Sequence, residues 1–375
     1  MLKVVKIDTE SKSEVKRFIQ FHYDLYRGCP QWVPPFWSDI ALMLNRKKHP
    51  FYEHSDADFF LAMRDDRVVG RIAVMENKPF NEYHHTRKIQ FYLFDAVEDQ
   101  EVFEALFDQA SAWGRERGMT EIVGPKGFSA FDGYGIQVKG FEYRQMMTMM
   151  NYNYPYYGEL MERIGFEKEN DFVSCYAPRE RFRLPDKAAE IARRVRERGT
   201  FKVKGFTSKK ELREWAWRIG ETYNKTFVNN WEYYPLSRNE VKTLVDTLLV
   251  IADPKYIKLV MYKDDIVGFI FGFPDVSAAL QRHGGRITPF AIIDILLEFR
   301  RTKWISLNGV GILPEYQGRG GNVLLYDEMV KTVIEGGFEH AEATQMADTA
   351  EMVRKDIATL GLEIYKVHRI FHRSI

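Results

Sequence analysis

The alternation of apolar and polar residues predicts the same hairpin twice in this chain. Residues 60–70 read as a strand, a short polar turn and the start of a second strand that reaches Gly70. Residues 258–268 repeat that order, and Gly268 lies 198 positions after Gly70. Because alternating apolar residues are typical of half-buried strands, both segments predict β-hairpins.

Two further features recur in the same order in both halves. An amphipathic helix is predicted from Glu101 to Arg117 and again from Asn322 to Glu335, and glycine follows each. Near the end of each half a helix runs into a glycine and then a strand, and these glycines, Gly165 and Gly361, are 196 positions apart. Three ordered matches indicate a duplicated domain.

Each half reads as helix, hairpin, strand, helix, strand, helix and strand. The opening helices are predicted over Ser13 to Tyr26 and Ser208 to Tyr223, and Ser208 with Glu211 has the spacing of a capping box. Strands joined by helical crossovers predict an α/β fold with two tandem domains, each a mixed twisted sheet flanked by helices. The predicted boundaries are residues 1–177 for the first domain, 178–205 for a linker and 206–375 for the second domain.

Composition excludes several classes of protein. The chain has 375 residues, 45% of them hydrophobic, and a net charge of +1, which offers no long-range attraction for nucleic acid or an anionic membrane. Cys29 and Cys175 indicate neither a disulfide framework nor a metal cluster. The most apolar run, residues 287–299, contains Asp294 and Glu298 and is too short to span a bilayer. We expect a cytoplasmic protein without a signal peptide, a membrane partner or a bound metal.

The segment with the clearest chemistry begins as an apolar strand over Ile305 to Ile312. A glycine-rich turn follows over residues 313–321, and a helix is predicted from Asn322. Glycines let successive backbone N–H groups converge, and the helix N-terminus adds unpaired amides and its dipole, so the turn predicts a phosphate site. It has neither the Gly-Lys-Ser/Thr ending of a Walker loop nor the Gly-x-Gly-x-x-Gly spacing of a dinucleotide site.

This segment resembles motif A of the GNAT acyltransferases through Val310-x-Ile312-x-Pro314-x-x-Gln317-Gly318-Arg319-Gly320-Gly321. The resemblance implies acetyl-CoA or another acyl-CoA, with its pantetheine arm along the strand backbone and its pyrophosphate on the amides of the turn. The implied binding residues are Val310, Gly311, Ile312, Gln317, Gly318, Arg319, Gly320, Gly321 and Asn322. The family usually has glycine or alanine at the last position, where Asn322 is expected to cap the helix.

The first half is similar to the same family through its repeat but lacks this turn. Residues 96–100 stand in its place, are acidic and contain no glycine, so they would repel a pyrophosphate. We infer that the first domain is degenerate and shapes the acceptor pocket. Tandem chains of this kind resemble mycothiol-synthase-like and Fem-type transferases. Residues 31–35, 124–128 and 153–157 also resemble a common bacterial GNAT group, and the resemblance implies no particular substrate.

Candidate catalytic residues follow from what acyl transfer to an amine requires. Many GNAT proteins use a tyrosine four residues before the glycine of the final helix, but Met161 and Ile357 occupy those positions here. The candidate acids are therefore Tyr365, Tyr316 and Tyr326. The candidates beside the cleft on the flanking strands are Asn308, Glu342 and Gln345, of which Glu342 can accept a proton.

An aromatic segment over Gly124 to Tyr157 distinguishes the first half. Tyrosines with interspersed carboxylates suit an amine or peptide-like acceptor through cation–π contacts and ion pairs. The candidate acceptor-binding residues are Asp132, Tyr134, Glu142 and Tyr154. The alternative interpretation is an aromatic interface between the domains.

The sequence thus predicts an acyl-CoA-dependent N-acyltransferase that transfers an acyl group, most simply acetyl, to a primary amine of a small molecule or peptide. Two alternatives stay open. One is a non-catalytic acyl-CoA sensor, which the missing tyrosine favours. The other is a Fem-like transferase that uses aminoacyl-tRNA, for which only the basic segment from Arg179 to Arg218 could supply a groove. Nucleic acid is otherwise not expected as a partner.

Overall fold

The computed structural model describes residues 1–129, 132–146, 150–231 and 233–375. It divides into two compact units. Unit 1 consists of Met1–Phe172, Val276–Glu298 and Lys366–Ile375, and unit 2 consists of Val173–Asp275 and Phe299–Tyr365. The predicted halves are contiguous in sequence, whereas each of these units is assembled from separate segments.

The elements alternate between strands and helices, as the α/β prediction requires. The first half contains β1 (Leu2–Lys6), α1 (Lys12–Leu25), α2 (Trp37–Met43), β2 (Asp56–Arg64), β3 (Arg67–Glu76), α3 (Lys78–His84), β4 (Lys88–Ala96), α4 (Gln100–Arg115), β5 (Glu121–Gly124), β6 (Ile136–Lys139), α5 (Tyr156–Arg163) and β7 (Glu167–Pro178).

The second half follows the same order with additional helices. It contains α6 (Asp186–Arg198), β8 (Lys202–Lys204), α7 (Lys209–Thr226), α8 (Arg238–Ile251), β9 (Ile257–Tyr262), β10 (Asp265–Pro274), α9 (Ser277–His283), α10 (Pro289–Arg301), β11 (Trp304–Ile312), α11 (Gly321–Glu335), β12 (His340–Ala347), α12 (Glu351–Leu360) and β13 (Glu363–Ser374).

Both units have a mixed sheet. In unit 1 the strand order is β1-β2-β3-β4-β5-β13, and β6 also pairs with β13. In unit 2 the order is β7-β12-β11-β10-β9-β8. Both sheets contain a parallel pair, β4 with β5 in unit 1 and β11 with β12 in unit 2, beside antiparallel pairs such as β2–β3 and β9–β10. The predicted class, an α/β fold with mixed sheets and flanking helices, is confirmed.

The repeated sequence features correspond to repeated local structure. Both predicted hairpins form, as β2–β3 and β9–β10. Gly70 and Gly268 lie where neighbouring atoms approach closely, since an added Cβ would be 2.8 Å from Leu106 and 2.3 Å from Ile312, respectively. Gly165 and Gly361 have positive φ angles at the ends of α5 and α12, where glycine terminates a helix at little steric cost.

Part of the last strand of each half of the sequence lies in the other unit. Residues 173–178 of β7 belong to unit 2, where β7 is next to β12. Residues 366–374 of β13 belong to unit 1, where Phe371 and His372 pair with Gly124 and Val123 of β5. The duplication therefore exchanges its terminal strands, which no local pattern indicates.

The remaining segments add to one unit or the other. The range predicted as a linker contains α6, whose buried Ala188 and Ala192 pack with Val323 of α11 in unit 2. The inserted helix α9 belongs to unit 1, where the Gln281 side chain donates to the Trp32 carbonyl over 2.8 Å. Within the part of the chain that the structure describes, no helix combines the length and the hydropathy needed to cross a membrane.

Helix starts follow ordinary capping chemistry. Ser208 caps α7 by accepting from the Glu211 amide over 3.2 Å, as predicted, although the Glu211 carboxylate turns to Thr207 and Lys204 and does not complete the box. A complete capping box forms at α8 between Ser237 and Glu240, at a position that the sequence analysis did not single out.

Candidate active site

The strand that leads into the glycine turn diverges from its parallel neighbour. Trp304–Leu307 of β11 pairs with His340–Ala343 of β12. Among the described residues, this pairing ends at Leu307. On the other edge, the register with β10 shifts at this point, and Gly309 has a φ of 80°. Such a bulge bends a strand, which opens a gap between β11 and β12 on the side of the turn.

The turn after β11 ends in an open helix N-terminus. Gly318 and Gly320 have φ angles of 72° and 84°, and Gly320 is the N-cap of α11. No side chain caps this helix, whose first amides lack intrahelical partners. An added Cβ would meet nothing within 4 Å at Gly318 but would lie 2.7 Å from Val195 at Gly320. The second glycine is therefore required by packing as well as by backbone conformation.

The expected role of Asn322 as the helix cap is wrong. The cap is Gly320, two residues earlier. The side-chain amide of Asn322 instead donates to the Asp356 carboxylate of α12 over 3.0 Å. Asparagine prefers a cap where its oxygen reaches a free amide, but here the helix has already begun and α12 offers a carboxylate. Asn322 therefore links two helices and leaves the first amides of α11 uncovered.

The other residues of the predicted acyl-CoA site shape the turn. The Gln317 side chain donates to the Ile312 carbonyl over 3.0 Å, which closes the turn, and Arg319 lies over the Tyr316 ring. Val310 and Ile312 pair with β10, and Gly311 between them allows Thr226 to approach, since an added Cβ would lie 2.3 Å from its methyl carbon. The predicted binding residues therefore form one continuous strand, turn and helix start.

A row of buried polar side chains follows the divergence of the two strands. Ser306 pairs directly with Glu342, and Asn308 comes two positions further along the same face of β11. Thr344 continues the row on β12 and makes a 2.8 Å hydrogen bond with Ser174 of β7. Since the opposite faces of these strands, including Ile305 and Ala341, pack into the core under α11, the polar row marks a distinct face.

Two of the candidate catalytic residues, Tyr365 and Glu342, contact one another. The Tyr365 hydroxyl donates to Glu342 Oε1 over 2.7 Å. Burial and the adjacent Glu342 carboxylate raise the pKa of Tyr365 well above its ordinary value, so the phenol stays protonated. The other two candidate acids are engaged elsewhere, because the Tyr326 hydroxyl donates to Asp356 and Tyr316 packs with Tyr262.

An aromatic cluster that the sequence analysis missed lies beside this pair. The Tyr176 hydroxyl makes a 2.8 Å hydrogen bond with His340 Nδ1, and its ring is 5.8 Å from that of Tyr365. Trp304 stacks on His340 with centroids 4.4 Å apart. The sequence contains one sign of this cluster. Residues 340, 342 and 344 on β12 are polar and alternate with alanine, which indicates a polar face of the strand.

The corresponding segment of unit 1 diverges in the same way but ends differently. Lys88–Gln90 of β4 pairs with Glu121–Val123 of β5, and Leu93 then has a φ of 45° at a bulge. The next helix, α4, is capped by its own Asp99, which accepts from the Glu101 amide over 3.0 Å. A carboxylate thus occupies the position where unit 2 presents free amides.

Unit 1 encloses a cavity of about 230 Å³ at its strand divergence. Arg71 and Asp95 form a buried ion pair on its wall, with 2.6 Å between Nε and Oδ2, and His22 Nδ1 lies 2.9 Å from the same oxygen. Burial lowers the pKa of His22, so Arg71 carries the positive charge. Although burial opposes ionisation, His22 and Arg71 hold the pKa of Asp95 below its usual range.

Two further carboxylates line this cavity without a cation. Burial raises the pKa of Asp132 to about 6, although the Ser129 amide donates to it over 2.7 Å. Partial desolvation also raises the pKa of Asp39, although this side chain is exposed. Across the described residues, no lysine, arginine or histidine lies within ion-pair distance of either carboxylate. The cavity therefore has an unbalanced negative charge at neutral pH and suits a cationic ligand.

The four predicted acceptor residues have different environments. Asp132 lines the cavity, whereas Tyr134, Glu142 and Tyr154 are not part of its lining. Tyr134 packs with Phe172, Glu142 is exposed, and the Tyr154 hydroxyl donates to the Leu25 carbonyl over 3.1 Å. Residues 130, 131 and 147–149 of the same aromatic segment lie outside the described residues. Asp39, Arg71 and His22 are cavity residues that the sequence analysis did not identify.

Among the residues described in unit 1, one cluster of potential metal ligands occurs. Glu121, Glu169 and His372 each offer an atom within 4.8 Å of the others. Lys88 Nζ already lies 3.3 Å from Glu121 and 3.4 Å from Glu169. We describe this group as an ion-pair network, since a lysine supplies the positive charge that a metal would.

Comparison with known proteins places this geometry in context. No family model matches the chain. The chain is 25% identical to the Escherichia coli protein YghO over 97% of its own length and 94% of that protein. It is also 25% identical to a bacterial ceramide synthase of Caulobacter vibrioides, over 98% of its own length and 97% of that protein.

Solved structures are more informative about the fold. The whole chain matches a tandem GNAT protein from the clavulanic acid biosynthesis pathway, with a TM-score of 0.55, 11% identity and 98% of that chain covered. It also matches a GCN5-related glucosamine N-acetyltransferase region in a fungal multi-domain GH3 β-N-acetylglucosaminidase, with a TM-score of 0.57, 11% identity and 38% of that chain covered. The predicted fold is confirmed: this chain has the tandem form of the GNAT fold.

Proposed function

We propose that this protein transfers the acyl group of an acyl-CoA to the primary amine of an acceptor that carries an apolar chain. The observation that carries the proposal is the open N-terminus of α11, which follows a bulged, diverging strand and two glycines of positive φ. This fold supports an N-acetyltransferase type of enzyme, and the residues of unit 2 supply what such a reaction needs.

Unit 2 has the residues to hold the acyl-CoA. The first amides of α11 and the turn around Gly318 face a position where a pyrophosphate gains hydrogen bonds and the favourable end of the helix dipole. The β11 backbone from Val310 to Ile312 is paired with β10 on one edge, and its other edge lies beyond the region paired with β12. We assign that edge to the pantetheine amides. Acyl-CoA supplies an acyl group activated as a thioester.

The catalytic assignments in unit 2 are Glu342 as general base, Tyr365 as the acid that orients it, and Asn308 as a polar contact to the reacting groups. Glu342 removes a proton from the amine, the nitrogen bonds to the acyl carbon, and the carbon–sulfur bond breaks. Tyr365 gives its hydroxyl proton to the leaving sulfur and regains a proton from Glu342. The products are an amide and free CoA. The short Tyr365–Glu342 hydrogen bond provides the path for that proton.

The cavity of unit 1 is our candidate for the acceptor site. Two carboxylates that have no cationic partner among the described residues, Asp39 and Asp132, suit the ammonium form in which the amine arrives from solution. Apolar side chains form part of the remaining wall and suit an alkyl chain. They include Trp32, Phe36, Ile40, Met43 and Leu280. The Caulobacter relative is named a ceramide synthase, and a ceramide is an amide of a long-chain amino alcohol, so that name agrees with an acceptor of this class.

The transfer reaction can be tested with the full-length protein. Acetyl-CoA and a long-chain acyl-CoA are incubated with a long-chain primary amine, a short alkyl amine and a peptide with a free N-terminus. Release of free thiol is followed, and the amide is identified by mass spectrometry. We expect turnover with the long-chain amine in preference to the other two. Calorimetry with the same acyl-CoA esters measures binding independently.

The outcomes separate the alternatives. Acyl-CoA binding without turnover on any amine would indicate a sensor and contradict the proposal. Transfer from aminoacyl-tRNA alone would indicate a Fem-like enzyme. The basic segment gives that reading little support, because Arg193 pairs with Glu190 and Glu197, and Arg196 pairs with Asp327. Much of its positive charge is therefore already balanced.

A further inference from the structure

Helix α10 presents its apolar residues to solvent. Phe290 is 78% exposed, Leu296 59% and Ile293 56%, and Ile287, Ile292 and Leu297 are also exposed. The exposed positions recur at intervals of three and four residues, so they form one stripe along the helix. Contiguous apolar surface of this kind marks a site of interaction with another apolar surface.

The acidic residues of α10 face the protein instead. Asp294 Oδ2 lies 2.8 Å from Arg282 Nε of α9 and 3.0 Å from His283 Nε2, and Glu298 pairs with the same arginine. Ala291 on this side is buried. The helix is therefore inverted relative to an ordinary surface helix, whose polar face is in water and whose apolar face is in the core. In this arrangement, Arg282 balances the negative charges of Asp294 and Glu298.

Positive charge flanks the exposed stripe. Arg286 precedes the helix, and Arg300 and Arg301 are in its last turn. All three arginines are exposed. Throughout the described chain, no carboxylate lies within ion-pair distance of any of them. The patch therefore combines an apolar centre with a positive border, although the net charge of the whole chain is only +1. This combination is complementary to an anionic bilayer surface.

We propose that α10 binds the surface of an anionic lipid bilayer, lying in the plane of the interface with its apolar stripe among the acyl chains. Its 13 residues extend only about 20 Å, which is too short to cross a hydrocarbon core of about 30 Å. An interfacial helix needs no such length, because only one face is buried. The positive border selects a membrane over a second copy of the chain, since two copies would bring these arginines together.

The test is flotation of the full-length protein with lipid vesicles. One set contains phosphatidylcholine alone, and the other contains phosphatidylcholine with phosphatidylglycerol. We expect binding to the anionic vesicles, and we expect the double variant Ile293→Ser/Leu296→Ser to weaken it by about tenfold or more, because two inserting side chains are lost. Ile334→Ser is the matched control, since Ile334 is a 40% exposed apolar residue of another helix, α11.

The charge contribution is measured separately. Arg300→Gln/Arg301→Gln should weaken binding to the anionic vesicles by about tenfold and leave any binding to phosphatidylcholine unchanged. Failure of the unaltered protein to float with anionic vesicles would overturn the proposal. So would a dimer, seen by analytical ultracentrifugation, that the serine double variant dissociates while vesicle binding is absent. Unchanged thermal melting and acyl-CoA affinity of the variants show that folding and the unit 2 site are intact.

Discussion

The two strand–turn–helix segments, β4–α4 in unit 1 and β11–α11 in unit 2, share a backbone course but differ in chemistry. Both strands are parallel to the next strand over a few residues and then bulge away from it. The bulge has a positive φ angle at Leu93 in one unit and at Gly309 in the other. The opening is therefore a property of the fold, and the residues around it decide what it can bind.

The side chains at equivalent positions have opposite character. In the third parallel pair after the strands begin, unit 2 has Ser306 opposite Glu342, and unit 1 has Gln90 opposite Val123. The helix that follows is uncapped by side chains in unit 2 but capped by Asp99 in unit 1. The first arrangement suits an anion beside a proton acceptor, whereas the unit 1 cavity, with its carboxylates, suits a cation.

The largest expected effect comes from removing the Glu342 carboxylate, since unit 1 has Val123 at the equivalent position. Glu342→Gln should lower the turnover number by about 10²–10⁴-fold, because general-base catalysis is lost, while the affinity for acyl-CoA stays unchanged. Steady-state kinetics and calorimetry measure the two quantities. Glu121→Gln on β5 is the matched control and should retain turnover. Full activity of Glu342→Gln would show that the base lies elsewhere.

The next effect tests whether the turn binds pyrophosphate. Gly318→Asp should weaken CoA binding by about a hundredfold, because it puts a carboxylate at the anion site as in unit 1. Gly318→Asn is the matched control, since asparagine also tolerates a positive φ angle and Gly318 has open space around it. We expect one CoA per chain by calorimetry. Equal binding by both variants, or two CoA per chain, would contradict the comparison.

A smaller effect is expected at the cation site of unit 1. Asp132→Asn should raise the KM for the amine by about tenfold or more and leave the affinity for acyl-CoA unchanged, because a charged hydrogen-bond acceptor is lost. Glu142→Gln, an exposed carboxylate of the same segment, is the control. A changed acyl-CoA affinity with an unchanged amine KM would remove Asp132 from the acceptor site.

The same site predicts a pH dependence. Since burial raises the pKa of Asp132 to about 6, the carboxylate is neutral below that pH and ionised above it. The amine KM should therefore rise as the pH falls through 6, and this rise should be reduced in Asp132→Asn. Asp39 acts in the same direction, because its pKa is also raised. The lowered pKa of Asp95 keeps that carboxylate ionised in this range, and the lowered pKa of His22 favours the neutral imidazole.

The smallest effect concerns the two bulges. Gly309→Ala should lower stability by about 1–2 kcal/mol, because alanine at positive φ is strained and its Cβ would lie 3.1 Å from Phe271. Leu93→Gly should change stability by less than about 1 kcal/mol, since relief of strain offsets the greater freedom of the unfolded chain. Urea unfolding midpoints measure both. A larger loss for Leu93→Gly would show that its side chain, and not its backbone, maintains the bulge.

Local features were predictable because they depend on residues close together in sequence. The hairpins, the helices α4 and α11 and the glycine turn at 318–321 all follow from hydrophobic period and from the conformations that glycine allows. The acidic cap at Asp99 was also visible as a short charged segment. The resemblance to GNAT proteins rested on this same local segment, and the confirmed fold agrees with it.

The tertiary structure decided what joins residues distant in sequence. Strand period cannot tell which strands become neighbours, so the exchange of β7 and β13 between the units was not predictable. The hydrogen bonds from Tyr365 to Glu342 and from Asn322 to Asp356 likewise join residues on separate elements, which no local pattern brings together. From the sequence, the apolar run at 287–299 was only too short and too charged to span a bilayer, and the structure adds that Arg282 pairs with its two acidic residues. The sequence determined the individual helices, strands and turns through short-range backbone preferences. Long-range packing determined which of their faces are in contact.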